Sequence, residues 1–343
     1  MRVLFDMVHP ADVLFYERPI RMLQAEGAAC RILSRHKDIT CDLLDRLGFE
    51  HRPISRMGKG MIALGSELLV RDWRVWQEAR SFRPDVMTGF GGVAISHVTA
   101  LTRIPSVAFY DSDHAKLQIG LTVPFVTEWH VPPNWMGAEA KGRTIHVNSY
   151  KELSRLHPDH FTPDDQIARK AGWTTDRPNV FIRVVAWQAA HDAGMDGITD
   201  DRLRDVVAHL QAKGCTVHIS TERPLPDDLA DYHYKGDVLD VHHLLGKCSL
   251  YVGESATMAA EAAVLGVPGV CTVDVALGYI EEMTGSGMLT PCPDLGQLEA
   301  MIDQALGLSE QQIVAAHQHM MENKVDMAVH VVTALKRAAK QGI

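Results

Sequence analysis

The sequence predicts an α/β protein of two doubly wound domains, each built on a parallel sheet. Three observations predict it. Short apolar runs alternate with stretches of helical spacing, the rhythm of parallel strands joined by crossover helices. That rhythm breaks once, between about 149 and 178, where HPDHFTPDD and WTTDRPN concentrate Pro, Asp and Thr. The chain has 343 residues, about twice a usual domain. The expected division is one domain over 1–155, a linker over 156–178, a second domain over 179–308 and a helical segment over 309–343.

In the first half RVLFDMV reads as a buried strand and HPAD as a turn. Val13 to Glu26 follows as a helix with apolar Val13, Leu14, Ile20 and Leu23, stopped by Gly27. AACRILS is the next strand, DITCDLLDRLG a helix and FEHRPI a strand. A long helix over Met61 to Phe82 ends ahead of Pro84, and DVMTGF leads as a strand into Gly91-Gly92. VAISHVTALTR reads as a helix and PSVAFYD as a strand. After the break come NVFIRVVAW (strand), DDRLRDVVAHLQAKG (helix), CTVHIS (strand), VLDVHHLLGK (short helix) and SLYVGE (strand). An alanine-rich helix and the strand GVPGVCTV follow, and helices over Leu295 to Leu306 and Ser309 to Ala339 close the chain.

Composition narrows the function. A formal net charge of −9 argues against nucleic acid as the main partner. The six cysteines form no CxxC pair and mostly sit in apolar runs, as buried reduced thiols do. The chain opens directly on a strand, and no apolar run approaches the ~18 residues that span a bilayer. A cytoplasmic protein is expected. The stretch GKGMIALGSELLVRDWRVWQEAR reads either as a core helix with a solvated face or as an amphipathic surface meeting a membrane or a lipid-linked acceptor, which adds peripheral contact with the inner membrane face as a second expectation. There is no GxGxxG after the first strand, no GxxxxGK[ST] and no GxSxG. The His-rich appearance lacks zinc spacing, so neither a metal nor a cofactor is expected.

Ligands of open parallel sheets bind beyond the carboxyl ends of the strands. At one such end Gly253, Glu254 and Ser255 terminate a strand, and Ala256, Thr257 and Met258 open the alanine-rich helix. Unpaired N–H groups and the helix dipole favour an anion there, phosphate above all. Glu261 follows Thr257 by one turn, ~5.4 Å along the same face, where a carboxylate accepts both hydroxyls of a ribose. The alternative is that Ser255 is a plain N-cap and Glu261 a solvated charge. Arg183, in an apolar strand, needs either a diphosphate or an acidic partner. Glu222, between Thr221 and Arg223, ends the next strand near the same place. Asp111 and Asp113 form an Asp-x-Asp pair at a strand end, which elsewhere holds a divalent ion on a diphosphate.

GESATMAAEAAVLGVP resembles the nucleotide-binding motif of the GT-B fold, found in glycosyltransferases and in non-hydrolysing UDP-N-acetylglucosamine 2-epimerases. The match is closer still to domain-of-unknown-function family 354, a group of predicted GT-B glycosyltransferases. FDMVHPADVLFYERPIRML, AFYDSDHA and FIRVVAWQAAH resemble further stretches of that family, in the same order. The resemblance implies two Rossmann-like domains whose parallel sheets face an interdomain cleft, with the small-residue turn holding a diphosphate and Glu261 the ribose. Ser255 stands where glycine is common. The implied reaction is metal-independent transfer of a sugar from a nucleotide diphosphate, UDP above all, to a glycan or lipid-linked acceptor in cell-surface polysaccharide or glycolipid synthesis. A UDP-sugar 2-epimerase and a non-catalytic sugar-nucleotide binder are the alternatives. The GT-B resemblance puts the loop with His9 and Asp12 on the acceptor side, His9 as general base and Asp12 as its orienter or as base, against a plain helix cap. It makes Asp111, Asp113 and His114 acceptor or acid–base groups rather than metal ligands. Glu281 and Glu282 fall where GT-B enzymes read sugar hydroxyls, against the alternative of surface charge.

Overall fold

Two parallel sheets organise the residues that the computed structural model describes, 1–58, 60–185, 197–273 and 277–341. The chain divides into two units. The first comprises Met1–His157, Leu277–Tyr279 and Lys324–Ile343, and the second Pro158–Ala276 and Ile280–Asn323.

The first unit holds strands β1 (Arg2–Met7), β2 (Ala29–His36), β3 (His51–Arg56), β4 (Val86–Phe90), β5 (Ser106–Phe109), β6 (Glu128–Val131) and β7 (Thr144–His146), in the order β3-β2-β1-β4-β5-β6-β7. β1 is central, and Val3 to Met7 are all buried, as in a strand covered on both faces. Its one buried charge, Asp6, pairs with Arg71 of the helix Met61–Phe82, and that guanidinium also donates to Ser55 Oγ at 2.7 Å. The HPAD turn predicted after β1 is shorter than expected: the helix Pro10–Ala25 starts at once, because proline at a first helical position lacks only an N–H that would have no partner. β6 and β7 are absent from the sequence reading. At four and three residues they are too short for alternation to register.

The second unit holds β8 (Asn179–Val184), β9 (Thr216–Thr221), β10 (Leu250–Gly253), β11 (Gly269–Cys271) and β12 (Leu289–Pro291), in the order β12-β11-β10-β8-β9. Its core packs Val180, Ile182, Ile219, Leu250 and Val252 against Leu203, Val206, Val207 and Leu210. The last four recur at the spacing that puts one face of the helix Asp200–Ala212 on a sheet.

Two expectations need correction. The segment 156–178 is not wholly irregular: it includes the helix Asp165–Lys170, capped by the Asp164 side chain, and belongs to the second unit from Pro158 onward. The single closing helix over Ser309 to Ala339 is two, Glu310–Met321 and Met327–Gln341, interrupted where Asn323 takes a left-handed φ of 60°. The second of these packs in the first unit, where Arg337 pairs with Glu128 at 2.6 Å and His330 Nε2 meets His130 Nδ1 at 2.9 Å. Residues 186–191, the later part of FIRVVAWQAAH, lie outside the described residues, as does Lys59.

Candidate functional site

A doubly wound sheet opens a crevice where its strand order reverses. In the second unit β8 has β9 on one side and β10 on the other, so the switch lies at the carboxyl ends of β8 and β10. Gly253 faces Arg183 in register there. A Cβ on Gly253 would stand 2.4 Å from the Arg183 carbonyl oxygen and 2.9 Å from its Cβ. Strand pairing therefore demands this glycine before any ligand does. Glu254, grouped by the sequence with ligand-binding residues, is instead buried, with one oxygen accepting from the Val185 N–H at 2.8 Å and the other from the Ile198 N–H. It ties the end of β8 to the residue just before the N-cap of the helix Asp200–Ala212.

Ser255 caps the helix Ala256–Val264, its Oγ accepting from the Met258 N–H at 3.2 Å. Its own N–H donates to the Tyr251 hydroxyl at 3.3 Å, and that hydroxyl donates to the Ser255 carbonyl at 3.1 Å. The Ser255 hydroxyl acts as acceptor in its cap, which leaves its proton to donate outward. Ala259, Ala260, Ala262 and Ala263 are buried, while Ala256, Thr257, Met258 and Glu261 are half-buried. The small side chains form the packed face, and the candidate ligand groups lie outside it. Glu261 is not a solvated charge: its carboxylate is 13% exposed, with Oε1 3.2 Å from Nε2 of His242. His242, in the short helix Val241–Leu245, is itself 2% exposed and stands edge-on to Phe161.

Arg183 has the acidic partner that its apolar strand called for. It donates to Ser220 Oγ at 2.8 Å and pairs with Glu222. Beyond them an open groove is lined by Thr221, Glu222, Arg223, Leu225 and His233. Glu281 and Glu282 lie on the helix Gly278–Gly285, the first exposed and the second half-buried.

In the first unit the switch lies between β1 and β4, and β1 leads directly into His9. His9 Nδ1 accepts from the Ala11 N–H at 3.2 Å, so the proton of the neutral ring sits on Nε2. The ring keeps an exposed edge, but burial of the rest and the cations Lys37, Lys151 and Arg35 lower its pKa to about 3. His9 in this state donates through Nε2 and is a weak base. Asp12 completes the cap, with Oδ2 accepting from Val8 N–H at 2.8 Å and His9 N–H at 2.9 Å. Burial raises its pKa to about 7 against the pull of those two amides.

Asp111 and Asp113 are directed at different partners. Asp111 holds Lys151 Nζ at 2.8 Å, and burial, which would lower that ammonium's pKa, is outweighed by Asp111, Tyr279 and Glu152. Asp113 Oδ2 accepts from the Gly278 N–H at 2.9 Å, while its buried Oδ1 has no hydrogen-bond partner among the described residues. Burial raises the Asp113 pKa. His114 is exposed. Among the described residues neither aspartate belongs to a set of side chains close enough to hold a metal.

Two residues of this geometry escaped the sequence reading. His242 lies in VHHLL, where a histidine among apolar residues needs a polar neighbour, but nothing in the sequence points to Glu261 as that neighbour. Lys151 follows Tyr150 with no motif around it, and only the fold brings it to Asp111.

The chain belongs to the family described as Protein of unknown function (DUF354), which matches residues 1–333. It is 21% identical over 326 residues to the uncharacterized protein MJ0665 of Methanocaldococcus jannaschii, covering 89% of this chain and 92% of that protein. Among solved structures it is similar to the UDP-GlcNAc 2-epimerase of the same organism in complex with UDP-GlcNAc and UDP. The TM-score is 0.66 and the identity 12%, over 98% of this chain and 100% of that one. It is also similar to MurG of Acinetobacter baumannii, with a TM-score of 0.63 and 15% identity over 98% and 100% of the two chains. The chain thus has the GT-B fold of these enzymes.

Proposed function

We propose that this DUF354 member is a glycosyltransferase that takes a sugar from a nucleotide diphosphate, UDP above all, and passes it to an acceptor hydroxyl. One observation carries the donor half of this reading: at the switch point of the second sheet, a Ser255-capped helix start is followed one turn later by a carboxylate, Glu261, held in the protein beside a buried histidine. The diphosphate takes the Ser255 hydroxyl and the N–H groups of the first helical turn, and the ribose diol takes Glu261. Arg183 supplies positive charge to the leaving diphosphate by loosening its pair with the half-exposed Glu222. UDP is preferred as donor nucleotide because the M. jannaschii structure similar to this chain is a complex with UDP-GlcNAc and UDP.

The acid–base half rests on the first unit. Asp113 has an acceptor oxygen without a protein partner among the described residues and a raised pKa, so it is the base of this reading, with His9 donating through Nε2. Asp12, with a pKa of about 7, is the second base candidate. A glycan or a lipid-linked molecule is the acceptor class of this reading.

The similarity to a UDP-GlcNAc 2-epimerase supports a second reading, inversion of the donor sugar without an acceptor. Calorimetric titration of UDP, GDP, CDP and dTDP comes first, followed by incubation with UDP-sugars alone and then with acceptors. Selective UDP binding, with sugar transfer only when an acceptor is present, is the expected result. A new sugar epimer from donor alone favours the second reading, and failure of every nucleotide to bind removes both.

A further inference from the structure

The helix Met61–Phe82 wears its polarity inside out. It has 22 residues and is about 33 Å long. Its acidic side chains are all engaged within the first unit: Glu67 with Arg35, Asp72 with His97 at 2.7 Å, and Glu78 with Arg31 at 2.8 Å and Arg52 at 2.9 Å. Arg71 is likewise buried against Asp6. On the opposite face, Ile62, Leu69 and Trp73 fall within roughly 20° of one line along the helix and are 91%, 72% and 55% exposed. Met57 and Val70, 45% and 44% exposed, are near neighbours in sequence. The exposed cations here have neutral partners. Arg74 donates to the Ile54 carbonyl, and Arg80 stacks over Trp76 with its guanidinium carbon 4.9 Å from the ring centroid. Arg56, at the end of β3, is exposed as well. A chain of net charge −9 therefore presents one helix face that is apolar, with the exposed Arg80 in line with it.

We infer that this face docks on an anionic lipid surface, independently of the donor chemistry above. An apolar stripe with a tryptophan and flanking arginines is what an interfacial helix needs, since it sinks its apolar side chains among the acyl chains while the cations meet phosphate headgroups. The acids that would oppose such contact are turned inward. A second copy of the chain fits less well. One face of a helix ~33 Å long and ~10 Å wide offers roughly 300 Å², well below the ~800 Å² per partner of a stable interface.

The test floats the full chain with phosphatidylcholine vesicles, with and without phosphatidylglycerol, at low and high salt. The expected result is binding to the phosphatidylglycerol vesicles that weakens as salt rises. I62S/L69S/W73S should weaken it by roughly a hundredfold with an unchanged circular dichroism spectrum and melting temperature, because all three side chains are exposed. Should that variant lose its fold, L69S alone should weaken binding about tenfold. R80E should reduce the preference for phosphatidylglycerol. Absence of flotation with either vesicle overturns the inference, and so does a folded triple variant that floats as the parent does. A dimer in velocity sedimentation that the triple variant dissolves, with no vesicle binding by the parent, also overturns it and gives the face to a second copy.

Discussion

Replacing Asp12 by asparagine should make the protein more stable and less active. Asp12 is 3% exposed, and a single oxygen accepts both the Val8 and His9 amides. Burial raises its pKa from 3.8 to about 7; the two amides oppose the rise and Asp6 adds to it. A folded-state pKa above the unfolded value means that the folded chain holds one extra proton between those two limits. The contribution of this group is therefore complete below pH 3.8, declines as pH rises towards about 7, and stays flat above. At 1.36 kcal/mol per pH unit over a gap of about three units, the decline amounts to ~4 kcal/mol. Asparagine keeps the shape, and its carbonyl oxygen accepts both amides. Urea unfolding of parent and Asp12→Asn across this range should show two curves that nearly coincide near pH 4 and separate by up to ~4 kcal/mol near pH 8, the variant being the more stable. A carboxyl in the first turn of the helix after β1 that titrates near neutrality fits the acid–base role proposed for Asp12. A separation that does not vary with pH, or a variant less stable near pH 8, would refute the reasoning. Either result means that the surrounding amides offset or outweigh the burial penalty on the anion.

Three further outcomes follow from the second unit. Glu261→Gln should weaken UDP roughly thirtyfold by calorimetry but 2′-deoxy-UDP much less, because the lost charge-assisted bonds reach a hydroxyl that the deoxynucleotide lacks; equal losses for both nucleotides count against a ribose role. Gly253→Ala should lower stability by ~2 kcal/mol or more, read by thermal unfolding, since the new methyl meets the Arg183 carbonyl at 2.4 Å; an unchanged melting temperature would show that β8 and β10 separate freely. His218 is buried, and burial lowers its pKa from 6.5 to about 4, so the unfolded chain takes up the proton first as pH falls through that window. Stability should drop by ~2 kcal/mol between about pH 7.5 and pH 5, and His218→Gln should remove that part of the dependence.

The alternation of strands and helices was legible because each long element carries its own periodicity. The long helix expected from about Met61 to Phe82 is present as Met61–Phe82, its close marked by Pro84. β6 and β7 were not legible: four and three residues hold no measurable period, and both strands exist because β5 offers an edge on which they add in turn. The same limit applies to the candidate site. GESATMAAEAAVLGVP announces a helix start with a carboxylate one turn in, and both are present. The motif does not reveal that its members answer to different forces. Gly253 is fixed by the close approach of β8, Glu254 by two amides distant in sequence, Ser255 by its cap on the helix, Glu261 by its approach to His242, and the buried alanines by packing. A sequence motif records the sum of those constraints. Only the contacts separate them, and here they add His242, which no motif contains, beside Glu261.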